Sequence, residues 1–95
     1  MEQLRLRGWF VKSTHGSLYQ SGFPDLYACH AQYGAKWIEV KQRTGYKFTP
    51  AQVETFGKLI TNHIGIWVLV DWSSDELDKI HGAPNAWAYM MGAGI

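Results

Sequence analysis

The chain has a single cysteine, Cys29, so no disulfide can close within it. Such usage fits a reducing, cytoplasmic compartment. Its four histidines, His15, His30, His63 and His81, stand at no spacing that would build a zinc site with that thiol. No apolar run reaches the roughly 20 residues of a membrane-spanning helix, and no charged-then-apolar leader opens the sequence. A membrane partner is therefore not expected. Internal repeats and low-complexity tracts are absent too, and a net charge of +1 is too small to name a partner. What remains is a 95-residue chain that is 46% apolar, expected to form a single domain over 1–95 with a modest core.

Charge is nonetheless unevenly placed. Residues 1–60 carry eight basic and four acidic side chains, a net +4, whereas residues 61–95 carry one lysine and four acids, a net −3. The first two thirds can face a polyanion and the tail cannot. An ordinary mixed surface accounts for the split equally well.

The element order reads α-β-β-β-α-β with a short C-terminal addition, an α/β (α+β-like) chain with one mixed sheet flanked by helices. Glu2 to Arg7 predicts a short helix ended by Gly8, and Trp9-Phe10-Val11 a first strand. Ser13 to Gly22 reads as a loop. A second strand starts at Pro24 or Asp25 and runs towards His30, and a third spans about Lys36 to Gln42, with the turn at Ala31 to Ala35. Thr49 as N-cap, Pro50 and Gln52 announce a helix whose buried stripe is Val53, Phe56, Ile60 and Ile64, ended by Gly65. Ile66 to Val70 is apolar throughout, as a strand covered on both faces would be. Ser73 and Glu76 predict a second capping box for a short acidic helix to Ile80. The extension, about 72–95, offers no periodicity beyond this. Trp87, Tyr89, Met90 and Met91 follow a Gly-Ala-Pro break and are expected to cover an interface. Cys29 is expected as a small core residue, and His63 as a helix-end dipole partner.

Chemistry concentrates in two short phrases, Pro24-Asp25 and Glu39-Val40-Lys41. Strand residues two apart share a face, so Glu39 and Lys41 project together beside Trp37, away from Ile38 and Val40. If the hairpin register keeps Asp25 on that face, two carboxylates become cross-strand neighbours. Like charges at that range, Cβ atoms about 4.5–5.5 Å apart, repel and call for a cation. A divalent metal is the natural candidate.

Taken together, an acid after proline at a strand start, Glu-x-Lys on the next strand and a following helix resemble the PD-(D/E)xK nuclease superfamily. An acid-x-Lys triplet alone arises by chance about once in such a chain. The combination of Gly22-x-Pro24-Asp25-Leu26, Ile38-Glu39-Val40-Lys41 and Thr49-x-x-Gln52 is far more specific. It resembles the VRR-NUC branch, including its small stand-alone phage-type members, over about residues 4–71. The resemblance implies a restriction-endonuclease-like core and a Mg²⁺- or Mn²⁺-dependent endodeoxyribonuclease with no small-molecule cofactor, in the cytoplasm of a bacterium or phage-infected host. It implies metal ligation by Asp25, Glu39 and the Val40 backbone carbonyl, and a catalytic set of Asp25, Glu39, Lys41 and Gln52, with Gln52 beside the site. Products would carry 5′-phosphate and 3′-hydroxyl ends. Family members carry a further acid on a longer first helix; here seven residues precede Gly8, and Glu2 is the one acid among them. Glu2 is thus the candidate for that place. Stand-alone members also imply a homodimer, whose symmetric cuts suit branched DNA such as four-way (Holliday) junctions.

DNA contacts are expected from Arg43, Lys47 and Tyr46 in the loop after the third strand, and from Arg5, Arg7 and Lys12. Plainer roles exist for every one of these residues. Asp25 can start a turn, Glu39 and Lys41 can be an exposed strand-face ion pair, Gln52 can be a capping-box residue alone, and the basic loop can be merely solvated. At the level of the whole chain the rivals are a non-catalytic nucleic-acid-binding module and an interaction or assembly protein.

Overall fold

Four strands laid side by side in chain order form the centre of the computed structural model, which describes residues 1–14 and 22–94. They are β1 (Phe10–Ser13), β2 (Leu26–His30), β3 (Gly34–Val40) and β4 (Ile66–Leu69). β1 and β2 pair antiparallel, as do β2 and β3, while β4 runs parallel to β3. A parallel neighbour requires a crossover, which helix α2 (Pro50–Thr61) supplies. Among the described residues, helices α1 (Glu2–Leu6), α3 (Ser74–Asp78) and α4 (Ala86–Gly92), with a 3-10 turn at Lys79–His81, accompany the sheet in an α/β arrangement. Most of the loop expected from Ser13 to Gly22, including His15, lies outside the described residues.

Side-chain alternation gives the sheet two different faces. Val11, Leu26, Ala28, Ile38, Trp67 and Leu69 point to one side, where Leu4 of α1 and Leu77 and Ile80 after β4 close over them. Trp37 of β3 and Ile66 and Val68 of β4 point to the other, beneath Phe56 of α2 and Ala86 and Met90 of α4. β4 is therefore buried at every position, as its unbroken apolar run predicts.

The far edge of β4 is closed by side chains. Val68 donates its N–H to Asn85 Oδ1 at 2.6 Å, and Asn85 Nδ2 donates to the Val68 carbonyl at 3.2 Å. Two residues on, Val70 N–H donates to Glu76 Oε1 at 3.1 Å. One amide side chain and one carboxylate thus occupy ladder positions that a fifth strand would otherwise fill. Asn85→Ala should lower stability by about 1–3 kcal/mol, because both backbone groups of the buried Val68 lose their partner. Chemical denaturation measures this; an unchanged midpoint would mean that water replaces the amide.

Several expectations are corrected. α2 ends at Thr61, and His63, not Gly65, takes the left-handed conformation past it, with φ 65°. Ile64 N–H donates to Leu59 O at 2.8 Å and His63 N–H to Ile60 O at 3.0 Å, the hydrogen-bond pair of a Schellman ending. Ile64 consequently leaves the helical stripe and is 39% exposed. The predicted second capping box forms by half: Ser73 Oγ accepts from Glu76 N–H, but the Glu76 carboxylate turns to Val70 and Lys79. Residues 83–95 are not an appendage, since α4 places Ala86 and Met90 in the core while Trp87 and Met91 stay exposed. Cys29 is half-buried, outside both core clusters.

Candidate metal and catalytic centre

Asp25 stands at the entrance to β2, where two contacts hold the chain. Thr14 N–H donates to the Asp25 carbonyl at 2.9 Å, and the Thr14 hydroxyl donates to the Pro24 carbonyl. Gly22 lies against the first turns of α2: a Cβ there would come within 2.5 Å of Ala51 O and 2.8 Å of Thr55 Oγ1, and its φ is +87°. Glycine is the residue that meets both demands, so the Gly-x-Pro-Asp phrase is what lets the Asp25 turn dock on α2.

The β2–β3 register pairs Leu26 with Ile38, which sets Asp25 opposite Glu39. Backbone rungs give way here to side chains. Asp25 N–H donates to Glu39 Oε1 at 3.1 Å, and Val40 N–H donates to Asp25 Oδ2 at 2.8 Å. Each acid thereby holds the other strand's backbone, and the two carboxylates are fixed beside each other despite their like charge.

Lys41 and Gln52 complete the group. Lys41 Nζ lies 3.1 Å from Glu39 Oε2 and donates to Gln52 Oε1 at 3.0 Å. Gln52 Nε2 donates to Glu39 Oε2 at 2.7 Å. The same Gln52 forms the capping box of α2, its Oε1 accepting from Thr49 N–H at 3.0 Å and its own N–H donating to Thr49 Oγ1 at 3.1 Å. Cap and site are therefore one device. The helix start fixes the amide, and the amide fixes the acid and the ammonium.

Burial decides against an ordinary strand-face ion pair. The Glu39 side chain is 2% exposed and that of Lys41 13%. Burial pushes the Glu39 carboxyl above its ordinary value and the nearby Asp25 charge pushes it further, while the hydrogen bonds and charge of Lys41 and the Gln52 amide pull the other way. Among the described residues, two carboxylates and one ammonium meet at the centre. Carboxylate oxygens are the hard donors that Mg²⁺ and Mn²⁺ prefer. Each also offers two lone-pair directions, so the Asp25 amide does not by itself saturate Glu39 Oε1. The donor set fits a divalent cation.

No family model matches the chain, and neither does any curated protein or solved structure. The reading of the centre thus rests on its own geometry.

The other anticipated residues are dispersed. Glu2 is exposed on α1, which seats Leu4 against the sheet face opposite Glu39. Among the described residues no third acid, histidine or cysteine joins Asp25 and Glu39 in a metal-holding group. Arg7 pairs with Asp78 at 2.7 Å, and Arg5, on the same helix, is exposed. Arg43 pairs with Asp71, whose carboxyl is held down at about 2 by the Ser73 hydroxyl and amide, with Arg43 adding to the effect. Lys47 is exposed in the same loop, and Tyr46 is half-buried against Phe48 and Tyr89. Lys12 is exposed on the sheet face that carries Glu39.

Phe48 has a role the sequence reading missed. It is 9% exposed, and its ring centroid lies 4.5 Å from Lys41 Nζ. The ring gives the ammonium an apolar, quadrupolar floor. A signal for this was present: Phe48 and Val53 flank the Thr49 cap at the two positions of a hydrophobic staple, and both pack in one cluster.

Proposed function

We propose that the chain is a divalent-metal-dependent DNA endonuclease with a restriction-endonuclease-like core, of the VRR-NUC kind within the PD-(D/E)xK nucleases. One observation carries the reading. Asp25, Glu39, Lys41 and Gln52, from neighbouring strand ends and a helix start, meet in a single bonded group that sets two carboxylates side by side. Mg²⁺ or Mn²⁺, held by Asp25, Glu39 and the Val40 carbonyl, would polarise the scissile phosphate and acidify a bound water. Lys41 directs two of its three N–H groups at Glu39 and Gln52, and the third serves a phosphate oxygen or the attacking water. Charge growing on the phosphate is stabilised by that fixed ammonium without reorganisation. Gln52 acts through the other two side chains and is a positioning residue. Phe48 excludes water from beneath the ammonium.

Branched DNA and a homodimer belong to the same proposal. The exposed Trp87 and Met91 of α4, near the exposed Ile64, offer an apolar contact for a second copy. The pairing of only two acids among the described residues favours one second reading, a DNA-binding module without catalysis. Incubation of the pure protein with junction, flap, single-stranded and linear DNA separates the two. Cleavage is expected with Mg²⁺ or Mn²⁺, strongest on branched substrates and absent in chelator. Binding without metal-dependent cleavage of any substrate would leave the module reading.

A further inference from the structure

Among the described residues, the sheet face that carries the centre is roofed over only part of its width. The cluster under α2 and α4 takes Trp37 from β3 and Ile66 and Val68 from β4, and no residue of β1 or β2. Over those two strands the same face presents Lys12 and Tyr27, in one cross-strand row with the partly covered Trp37 of β3, and Phe10 in the next row. Phe10 is 57% exposed, Lys12 is exposed with its ammonium 5.7 Å from the Phe10 ring, and Tyr27 and Phe23 are half-buried. Tyr27 packs edge to face with Trp37 at 4.9 Å between centroids, and Phe23 lies tilted against Trp37 at 6.0 Å.

We propose that this strip is a stacking platform for unpaired nucleotides of DNA flanking the phosphate that is cut. Its position next to the centre rests on the nuclease reading; its binding chemistry does not. Tyr27 stands on β2 two residues after Asp25, and Trp37 on β3 two before Glu39, so these two rings share the Glu39 face. Phe23, in the bend before β2, packs against Trp37. Rings accept any base by stacking, and a lysine in the same row answers the phosphates. A duplex hides its base faces inside its own stack, whereas a flap, bubble or single strand leaves them open. The strip thus selects strands with unpaired bases, and a uniformly paired duplex gains nothing from it.

Anisotropy of a labelled oligothymidine and of a blunt duplex of equal length, titrated with wild-type protein in chelator, tests this without any cleavage. The single strand should bind more tightly than the duplex. Phe10→Ala and Tyr27→Ala should each weaken it at least about five-fold, the range of one lost base stack. Lys12→Ala should flatten the salt dependence by about 0.7 in the log–log slope, one phosphate contact on a single strand. Phe10 and Lys12 are exposed, so their substitution leaves the fold intact, which circular dichroism checks. Wild-type affinity in all three variants overturns the platform and leaves the nuclease reading standing. Weakened binding in a protein that cleaves nothing with metal does the reverse. A dimer that Phe10→Ala turns into a monomer, with oligothymidine affinity unchanged, would assign the strip to a second copy and also overturn it.

Discussion

Lys41→Met should lower Mg²⁺-dependent cleavage by at least about 100-fold, the loss typical of removing one preorganised donor at a developing charge. Methionine keeps an unbranched apolar stem over the Phe48 ring, so the change is mainly electrostatic. With the ammonium gone, Glu39 loses a hydrogen bond and the positive charge that lower its pKa, and burial and Asp25 act with less opposition. Its carboxyl then rises further. A carboxyl whose folded pKa lies above its unfolded value of 4.5 costs stability as pH rises from the unfolded value through the folded one. The variant's stability deficit should therefore be small below pH 4.5 and grow above it. Single-turnover rates and urea unfolding at several pH values read both effects. A variant retaining more than a tenth of wild-type activity would remove Lys41 from the chemistry.

The sheet was legible because its periodicity is strict. Ile38 and Val40 alternate with Trp37 and Glu39, and a central apolar run such as Ile66–Leu69 has few alternatives to a buried strand. The cap of α2 was legible for the same reason: Thr49, Pro50 and Gln52 are local rules obeyed in full. What escaped depends on contacts distant in sequence. Asn85 reads as an ordinary turn residue until Val68, 17 positions earlier, turns out to need both its donor and its acceptor. Met90 looked like surface because α4 contains only seven residues and announces itself by no cap. The centre was half legible. Spacing put Glu39 and Lys41 on one face, but only the register and the Asp25–Val40 bond decide that Asp25 reaches them. The anticipated basic residues failed to gather for a related reason. Arg7 and Arg43 carry the right charge, yet Asp78 and Asp71 pair with them, and local charge counts do not show such pairings.

Asp25→Asn should stabilise the metal-free protein at neutral pH by about 0.5–2 kcal/mol, the usual gain when a functional strain is relieved. The amide oxygen can still accept from Val40 N–H, so the β2–β3 junction survives. What disappears is the second cause of the raised Glu39 pKa, the charge beside it; burial, the first cause, remains. Glu39 should therefore titrate closer to its ordinary value while staying above it. Below pH 4.5 the carboxyl is protonated in both folded and unfolded chains, and the gain should vanish; above the raised pKa it should be complete. Mn²⁺ reverses the order. A ligand that binds only the folded wild type at a hundred times its Kd adds about 2.7 kcal/mol, and the variant, with one carboxylate, should gain far less. The two unfolding curves are thus expected to exchange places between chelator and metal. A variant less stable than wild type in chelator, or one that gains as much from Mn²⁺, would mean that Asp25 and Glu39 are a structural hydrogen-bond pair and that no cation resolves their repulsion.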